Sequence, residues 1–417
     1  MPAAIFPNPP QPATPSARLT VTAAGVPVTE RFGVEWQDVL SQLGSGQFAL
    51  LNTHPLITAD TIDNDQLVIF SLDGDEFLAW IITTQHQTST TAAEESAGVT
   101  VFSGETTLVE LRRMVVLPNA KIRFVDTPIF VGYVSTKPYA LERYFGPMEP
   151  GYVDSAWPAA IEVLQVTGAA APEGWPARHG CYWIGAGEPT AFVRDSFTTS
   201  GVFKVKVFFA GGVNCKVDLF LDGTPVGQID PTTEDGEGKT RAVVVEVTNG
   251  THHLFARSVA AAGDATVAYC VVNCATGAIL CVSDDTAKAV DEVAGVTVGS
   301  IMETALAEAD AWDTLPGWTM DFDAAEDTDG RPWRSMGDWW SCKAVTTDYL
   351  QLGQQLCEGW AEMAAEASKG GRVLSMWVAA GTLDGAGNTG VGRNPSMGGL
   401  TIAKGVNATE LIHEKTT

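Results

Sequence analysis

Alternation of apolar and polar residues opens the chain in ARLTVTAAG (residues 17–25), and two runs of β-formers then flank Asp73-Gly74 in QLVIFSLDGDEFLAWII. Asp-Gly between such runs is a hairpin signal, because a tight turn needs φ > 0, which Gly, Asn and Asp adopt most readily. Further strands are expected at 98–102 and 122–133, and one helix-compatible piece at 106–114, TTLVELRRM. Residues 17–150 therefore read as a compact β-barrel with a small helix.

Proline and glycine cluster between about 147 and 176 (PMEPG, AAAPEGWP), which marks a boundary. Residues 155–284 follow as a separate block with strands in GVFKVKVFFAG, CKVDLFLDGTPVGQI and AVVVEVTNGTHHLFARSV. Turn pairs Asp222-Gly223 and Asn249-Gly250 predict local hairpins in a β-sandwich of jelly-roll type. In 285–417 the text becomes mixed. Ser300 and Glu303 read as a capping box, with Met302, Ala305, Leu306 and Ala309 on one apolar face of a helix ending near Pro316 and Gly317. A second helix is predicted over 346–369, carrying Tyr349, Leu352, Leu356, Trp360 and Met363, with Thr347 as its cap and Gly370 as its stop. Beyond it lie RVLSMWVAA, a Gly-rich loop at 381–392, and short strands at 400–404 and 409–414. The fold class is mainly β, with an α+β carboxy-terminal domain.

A length of 417 residues allows two or three domains, and 45% apolar residues can build real cores. Lys and Arg number 25 against 50 Asp and Glu, so the net charge of −25 argues against a surface that neutralises nucleic-acid phosphates. The proline-broken start MPAAIFPNPPQPATPSA lacks a basic segment and reads as an extended arm over 1–16 rather than a signal peptide. No apolar run is long enough to span a bilayer. Seven cysteines, mostly in apolar strand-like text, fit reduced, buried thiols in a reducing cytosol.

Candidate chemistry is sparse. The acidic run Asp321, Asp323, Glu326, Asp327, Asp329, Gly330 offers hard oxygen ligands, but Ala325 occupies the first ligand position of a calcium loop and no suitably spaced Glu closes it. A solvated acidic loop is the better reading. His252 and His253 should point to opposite faces of a strand and cannot chelate one ion together. No G-x-S-x-G elbow or phosphate-cradling loop is present. Catalytic residues, metal ligands and cofactors are accordingly predicted to be absent. The surviving hint is Trp175, Tyr182 and Trp183 at the start of the sandwich, whose flat faces could stack on a sugar or pack in a core.

The segment TVGSIMETALAEADAWDTLPGWTMDFDAAEDTDGRPW (297–333), the run LNTHPLITADTIDNDQLVIFSLDGDEFLAWIITTQ (51–85) and the end GVNATELIHEKTT (405–417) resemble hub-type minor tail proteins of long-tailed phages that infect actinobacteria. The block 155–284 is similar in pattern to galactose-binding-like and related carbohydrate-binding modules. This resemblance implies split β-barrel hub domains at 17–150 and 285–417 interrupted by the sandwich. It further implies a homotrimeric virion protein at the tail tip, assembled in the host cytoplasm, with tail-tube, distal-tail and other minor tail proteins as partners. Genome DNA would pass without specific binding. A carbohydrate-binding adhesin for host cell-wall glycan is the alternative, and a tail-associated hydrolase has the least support because no paired carboxylates are recognisable.

Overall fold

A computed structural model describes residues 19–390 apart from 38–40, 73, 89–97, 120–121, 125–141, 167–170, 177–179, 202, 233–239, 313–316 and 367–369. The expected arm at 1–16 and the strands at 400–404 and 409–414 lie outside the described residues. The chain forms two compact units: Met1–Met114 with Met302–Trp333 and Tyr349–Thr417, and Val115–Ile301 with Arg334–Asp348. Antiparallel sheets dominate and helices are short, so the fold is mainly β.

The first unit begins with seven strands, the short helix α1 (Pro55–Thr58) lying after the fourth: β1 (Leu19–Ala23), β2 (Val26–Pro27), β3 (Phe32–Gln37), β4 (Ser45–Leu51), β5 (Leu67–Leu72), β6 (Asp75–Thr88) and β7 (Val99–Thr106). They form one seven-stranded sheet in the order β2-β1-β5-β6-β7-β4-β3. Gly74, with φ +100°, turns β5 into β6 as the Asp-Gly signal requires. The sheet curls until Trp36 on its last strand reaches Phe77, 5.4 Å between ring centroids. No ladder joins β2 to β3 among the described residues, so the curl is not closed by hydrogen bonds. Phe48, Phe70, Trp80 and Phe102 fill the interior, with Phe70 stacked on Trp80 and Phe48 on Phe102. Two glycines paired across β4 and β7, Gly46 and Gly104, make the slot for Trp80. A Cβ at Gly104 would stand 2.0 Å from Trp80 Cε3 and 2.1 Å from the Ile81 carbonyl oxygen.

The stretch expected as a helix at 106–114 is a 3₁₀ helix, Thr107–Arg113, with residues 107–111 buried. Glu110 explains the position. Its carboxylate accepts from Trp318 Nε1 at 2.9 Å and from Arg372 Nε and Nη2 at 2.9 and 2.8 Å. Burial pushes this carboxyl up, but the bonds from Arg372 and Trp318 outweigh burial and hold it below its ordinary range.

The second unit contains β8 (Ile122–Phe124), β9 (Glu142–Phe145), β10 (Ile161–Val166), β11 (Cys181–Gly185), β12 (Thr190–Thr199), β13 (Phe203–Gly211), β14 (Cys215–Leu221), β15 (Thr224–Ile229), β16 (Arg241–Val247), β17 (Gly250–Ala260), β18 (Thr266–Asn273), β19 (Ile279–Val282) and β20 (Lys288–Val290). One sheet runs β10-β11-β18-β13-β16-β8 with β19 also on β18, and the facing sheet runs β15-β14-β17-β12-β20. Within these, β11-β18-β13-β16 faces β12-β17-β14-β15, so the chain crosses between sheets at almost every step. This is jelly-roll connectivity. Val193, Val205, Val207, Leu219, Val243, Val245 and Tyr269 are among the inward residues of its core. Of the strand expected at 122–133, only 122–124 lie among the described residues, and this β8 pairs with β16 of the sandwich.

Asp222-Gly223 does close a hairpin, with φ of +48° and +73° between β14 and β15. Asn249-Gly250 does not: β16 and β17 belong to different sheets, and the turn carries the chain across the sandwich. Both outer faces are covered. Trp175 packs over Phe208, Ala210, Ala242 and Ala268 on one, and Met148, Trp157 and Trp339 pack near Phe192, Phe220 and Phe255 on the other.

Three elements of the carboxy-terminal part depart from the pattern reading. Helix α2 (Val298–Ala311) begins one turn earlier than the Ser300/Glu303 box predicts. Thr297 caps it reciprocally with Ser300: the Ser300 amide donates to Thr297 Oγ1 at 3.0 Å and the Thr297 amide to Ser300 Oγ at 2.9 Å. Ile301, Met302, Ala305, Leu306 and Ala309 are buried, as the apolar face required. The predicted 346–369 helix is only α3 (Tyr349–Cys357), stopped by Gly359 at φ +80°. Trp360 and Met363 leave the helix, and Ala361–Ala365 is a strand paired antiparallel with Val373–Val378. Pairing in the sheet overrides the helix preference of Ala, Glu and Met.

Candidate functional site

Trp175 and Trp183 share one outer cluster of the sandwich, and Tyr182, next to Trp183 on β11, is not part of it. Trp175 is buried, and its indole Nε1 donates to the Gly180 carbonyl at 3.3 Å. It covers the outer face of the sheet with Cys181, Phe208 and Ala242, and Trp183 packs half-buried against the same cluster. Tyr182 is half-buried, and as Trp183's neighbour on β11 it belongs to the opposite face of the strand. Leu164 of β10 lies across from Trp183 in the ladder. Pattern reading missed β10 as part of this surface: Ile161, Val163 and Leu164 are all exposed, although IEVLQV is a plain run of strand formers.

Two polar clusters lie elsewhere in the sandwich, the first buried and the second around a half-buried carboxylate. The Asp222 carboxylate contacts His252 Nδ1 at 2.6 Å and accepts the His253 amide at 2.8 Å. His252 Nε2 faces the Thr248 carbonyl at 3.0 Å, and Thr199 Oγ1 sits 3.2 Å away. This is a Thr-His-Asp arrangement in sequence terms, but all three residues are buried, and it ties the hairpin turn to β17. His253, on the other face of the strand as expected, is half-buried, and its imidazole is pushed down by burial and then by Arg194.

The second cluster centres on Asp195, whose Oδ2 accepts from Tyr269 Oη and Cys281 Sγ, each at 2.9 Å. Burial raises this carboxyl, and the three hydrogen bonds it accepts do not offset that. Burial likewise pushes the thiols of Cys181 and Cys270 up to about 12, which makes them poor nucleophiles.

The acidic run is a hydrogen-bonded loop in which Asp323, Glu326 and Asp329 are exposed, as a solvated loop requires, while Asp327 is buried. Asp321 accepts from Thr328 Oγ1 at 2.6 Å and Ser375 Oγ at 2.7 Å, and Asp323 Oδ1 accepts the Ala325 and Glu326 amides. Asp327 is buried; its Oδ1 accepts the amides of Asp329 and Arg331, and its Oδ2 that of Val378 at 2.9 Å. Asp384 repeats the device, with Oδ1 accepting the Ala386 and Asn388 amides. In both turns a glycine three residues after the aspartate has positive φ (Gly330 +73°, Gly387 +82°), and the aspartate amide closes onto a carbonyl four residues ahead at 2.8 Å. The twin turns are joined by Gly385 N to Pro332 O at 2.7 Å and Arg331 Nη1 to Thr389 O at 2.9 Å. Carboxylates so occupied hold backbone amides in place. Among the described residues no cluster of three His, Cys, Asp or Glu is placed to hold a metal.

No family model matches the chain, and no curated protein does. Among solved structures it is similar to a Streptomyces avermitilis α-L-rhamnosidase complexed with L-rhamnose, at 18% identity over 34% of this chain and 15% of that one, with a TM-score of 0.24. It is also similar to a Pleurotus ostreatus lectin in complex with GalNAc, at 18% identity over 35% of this chain and 46% of the lectin, TM-score 0.22. The apo form of the Pleurotus ostreatus lectin aligns at 12% identity over 67% of this chain and 71% of the lectin, TM-score 0.20. In the first two of these the alignment spans less than half of the other protein's length.

Proposed function

We propose that the chain is a structural subunit of a phage tail tip, a hub protein that joins the tail tube to host-contacting proteins and surrounds the path of the ejected DNA. The supporting observation is the nested architecture: a β unit whose chain is interrupted at Met114, continues as a jelly-roll sandwich, and resumes at Met302 and Tyr349. That is the layout of a mount carrying a module. The carboxylates of its acidic run anchor turns rather than form a reactive cluster, in keeping with a mechanical role. A net charge of −25 suits a wall along which DNA slides without sticking. Symmetry-free reconstruction of intact tail tips is the test. Three copies in a ring with distal-tail, tail-tube and other minor tail proteins is the expected result; one copy, six copies, or a virion without the chain would refute it.

A second reading adds glycan contact on the sandwich. Half-buried Trp183 beside exposed Leu164 of β10 favours it, since aromatic faces stack on the C–H face of sugars. Binding of the full chain to host cell-wall glycan, lost in Trp183→Ala, is the expected result. Silence of the wild-type chain on those glycans would remove this reading and leave the hub.

A further inference from the structure

Trp36 on β3 is 42% exposed, yet its ring lies 5.4 Å from that of buried Phe77 and 6.5 Å from that of buried Phe70. Val34, two residues earlier on the same face of the strand, packs into the core of the first unit. The indole is thus a flat apolar platform, supported by two rings and open to solvent. The chain enters the sheet close by. Leu19, the first residue of β1, packs half-buried against the same core, and Val21 is the register partner of Phe70. Arg31 fixes the entry point by donating to the carbonyl oxygens of Leu19 and Val28, the latter at 2.8 Å. Residues 1–18 precede it in the sequence, and they hold six prolines and no Asp or Glu.

We propose that Trp36 is a docking platform for a proline-rich segment, and that its occupant is the chain's own arm, residues 1–16, laid back over the indole. Chemistry, charge and length select that occupant. A polyproline run is already extended and lacks most amide donors, so it settles on an aromatic face at little cost in chain entropy or desolvation. Glu35 and Glu76 are the sequence neighbours of Trp36 and Phe77, and Asp75 follows, whereas residues 1–18 carry no acidic side chain and one basic one, Arg18. An extended run of this kind advances about 3.1 Å per residue, so ten residues span about 31 Å. That is ample, since the Phe70 ring beside Trp36 belongs to the strand next to β1. Tethering then makes weak stacking sufficient: a short linker supplies an effective concentration on the order of millimolar, so a free-segment Kd of about 0.1 mM leaves the platform about nine-tenths filled. Such docking lies outside the sandwich and is independent of any role in a tail tip.

Oxidative footprinting of the full chain, resolved residue by residue by mass spectrometry, is the test. Deleting residues 2–16 should speed oxidation of Trp36 about fivefold or more, and leave unchanged that of Trp312, which is 65% exposed. A synthetic peptide of residues 1–18, added at about 1 mM to the deleted chain, should restore the protection. The combined changes Pro9→Ser, Pro10→Ser and Pro12→Ser, which leave every residue of the sheet in place, should expose Trp36 nearly as much as the deletion. Protection in the intact chain should be the same at about 1 and about 100 μM, because a tethered segment does not dilute. Trp36 oxidised equally fast with and without the arm would overturn the platform. Protection that fades on dilution would put the arm on a second copy and overturn the intramolecular occupant, and serine changes without effect would overturn recognition through proline.

Discussion

The amino-terminal sheet wraps around the rings of Trp80, Phe48, Phe70 and Phe102, whereas the sandwich presses two sheets together over Val193, Val205, Val207, Val243, Val245 and Leu219. A sheet curled on itself leaves a wide centre that only large side chains fill, and its strands must then yield space, as Gly46 and Gly104 do beneath Trp80. Two facing sheets about 10 Å apart are filled by branched aliphatic side chains instead. Their carboxyls differ as well. Glu110 in the first unit is clamped by Arg372 and held low, while Asp195 in the sandwich has only neutral donors and is pushed up.

The sharpest break of this comparison is Gly104→Val, which should destabilise the first unit by about 4 kcal/mol or more, since backbone and indole both block the new atoms. Gly227→Ala in the sandwich, whose Cβ would meet the tip of Phe209 at 2.9 Å, should cost only about 1 kcal/mol. Denaturant unfolding followed by unit-specific fluorescence checks both, and equal losses would dissolve the distinction. Trp175→Ala should cost about 3 kcal/mol of sandwich stability because the ring is buried, and any loss of glycan binding should follow unfolding rather than precede it. Calorimetry beside glycan titration at low temperature separates the two effects.

Asp222→Ala leaves the His252 ring and the His253 amide without their acceptor, and should cost about 2–3 kcal/mol. Hydrogen exchange at the β14–β15 turn and β17 reads this directly, and protection equal to wild type would contradict it. The smallest effects concern pH. Glu110 is held below its unfolded value, so its contribution is present above that value and is lost as pH falls through the folded one. Asp195 is raised, so the stability its proton contributes is full below the unfolded carboxyl value and is lost as pH rises through the folded one. Asp195→Asn should therefore remove a decline of sandwich stability with rising pH, and Glu110→Gln a loss of first-unit stability with acidification. Melting temperatures between roughly pH 3 and 7 test both signs.

Legibility in the pattern varied with the range of the contacts involved. The Gly74 turn and the Asp222-Gly223 hairpin are local, and positive φ at Gly74, Asp222 and Gly223 is written in their identity. Asn249-Gly250 has the same chemistry and a different outcome, because which sheet receives the next strand depends on partners such as β12 and β14, remote in sequence. The helix at 298–311 was recognisable from its buried face, yet its cap lies at Thr297 because Ser300 can stand where glutamate usually does. At the candidate site Trp175 and Trp183 were visible as residue types, but nothing local says that one is covered and its neighbour on the same cluster is half-exposed.

What the sequence by itself determined is the strand-rich class, the tight turns and the apolar face of α2, all of which follow from side-chain period and backbone preference over a few residues. Tertiary structure alone decided that Ala361–Ala365 is a strand, that Asp327 and Asp384 anchor twin turns rather than wait for an ion, and that among the described residues β10 pairs on one edge only. The reason is physical: a hydrogen-bond partner or a covering layer supplied from far along the chain outweighs local preferences worth at most about 1 kcal/mol per residue, and no local pattern records where that partner will come from.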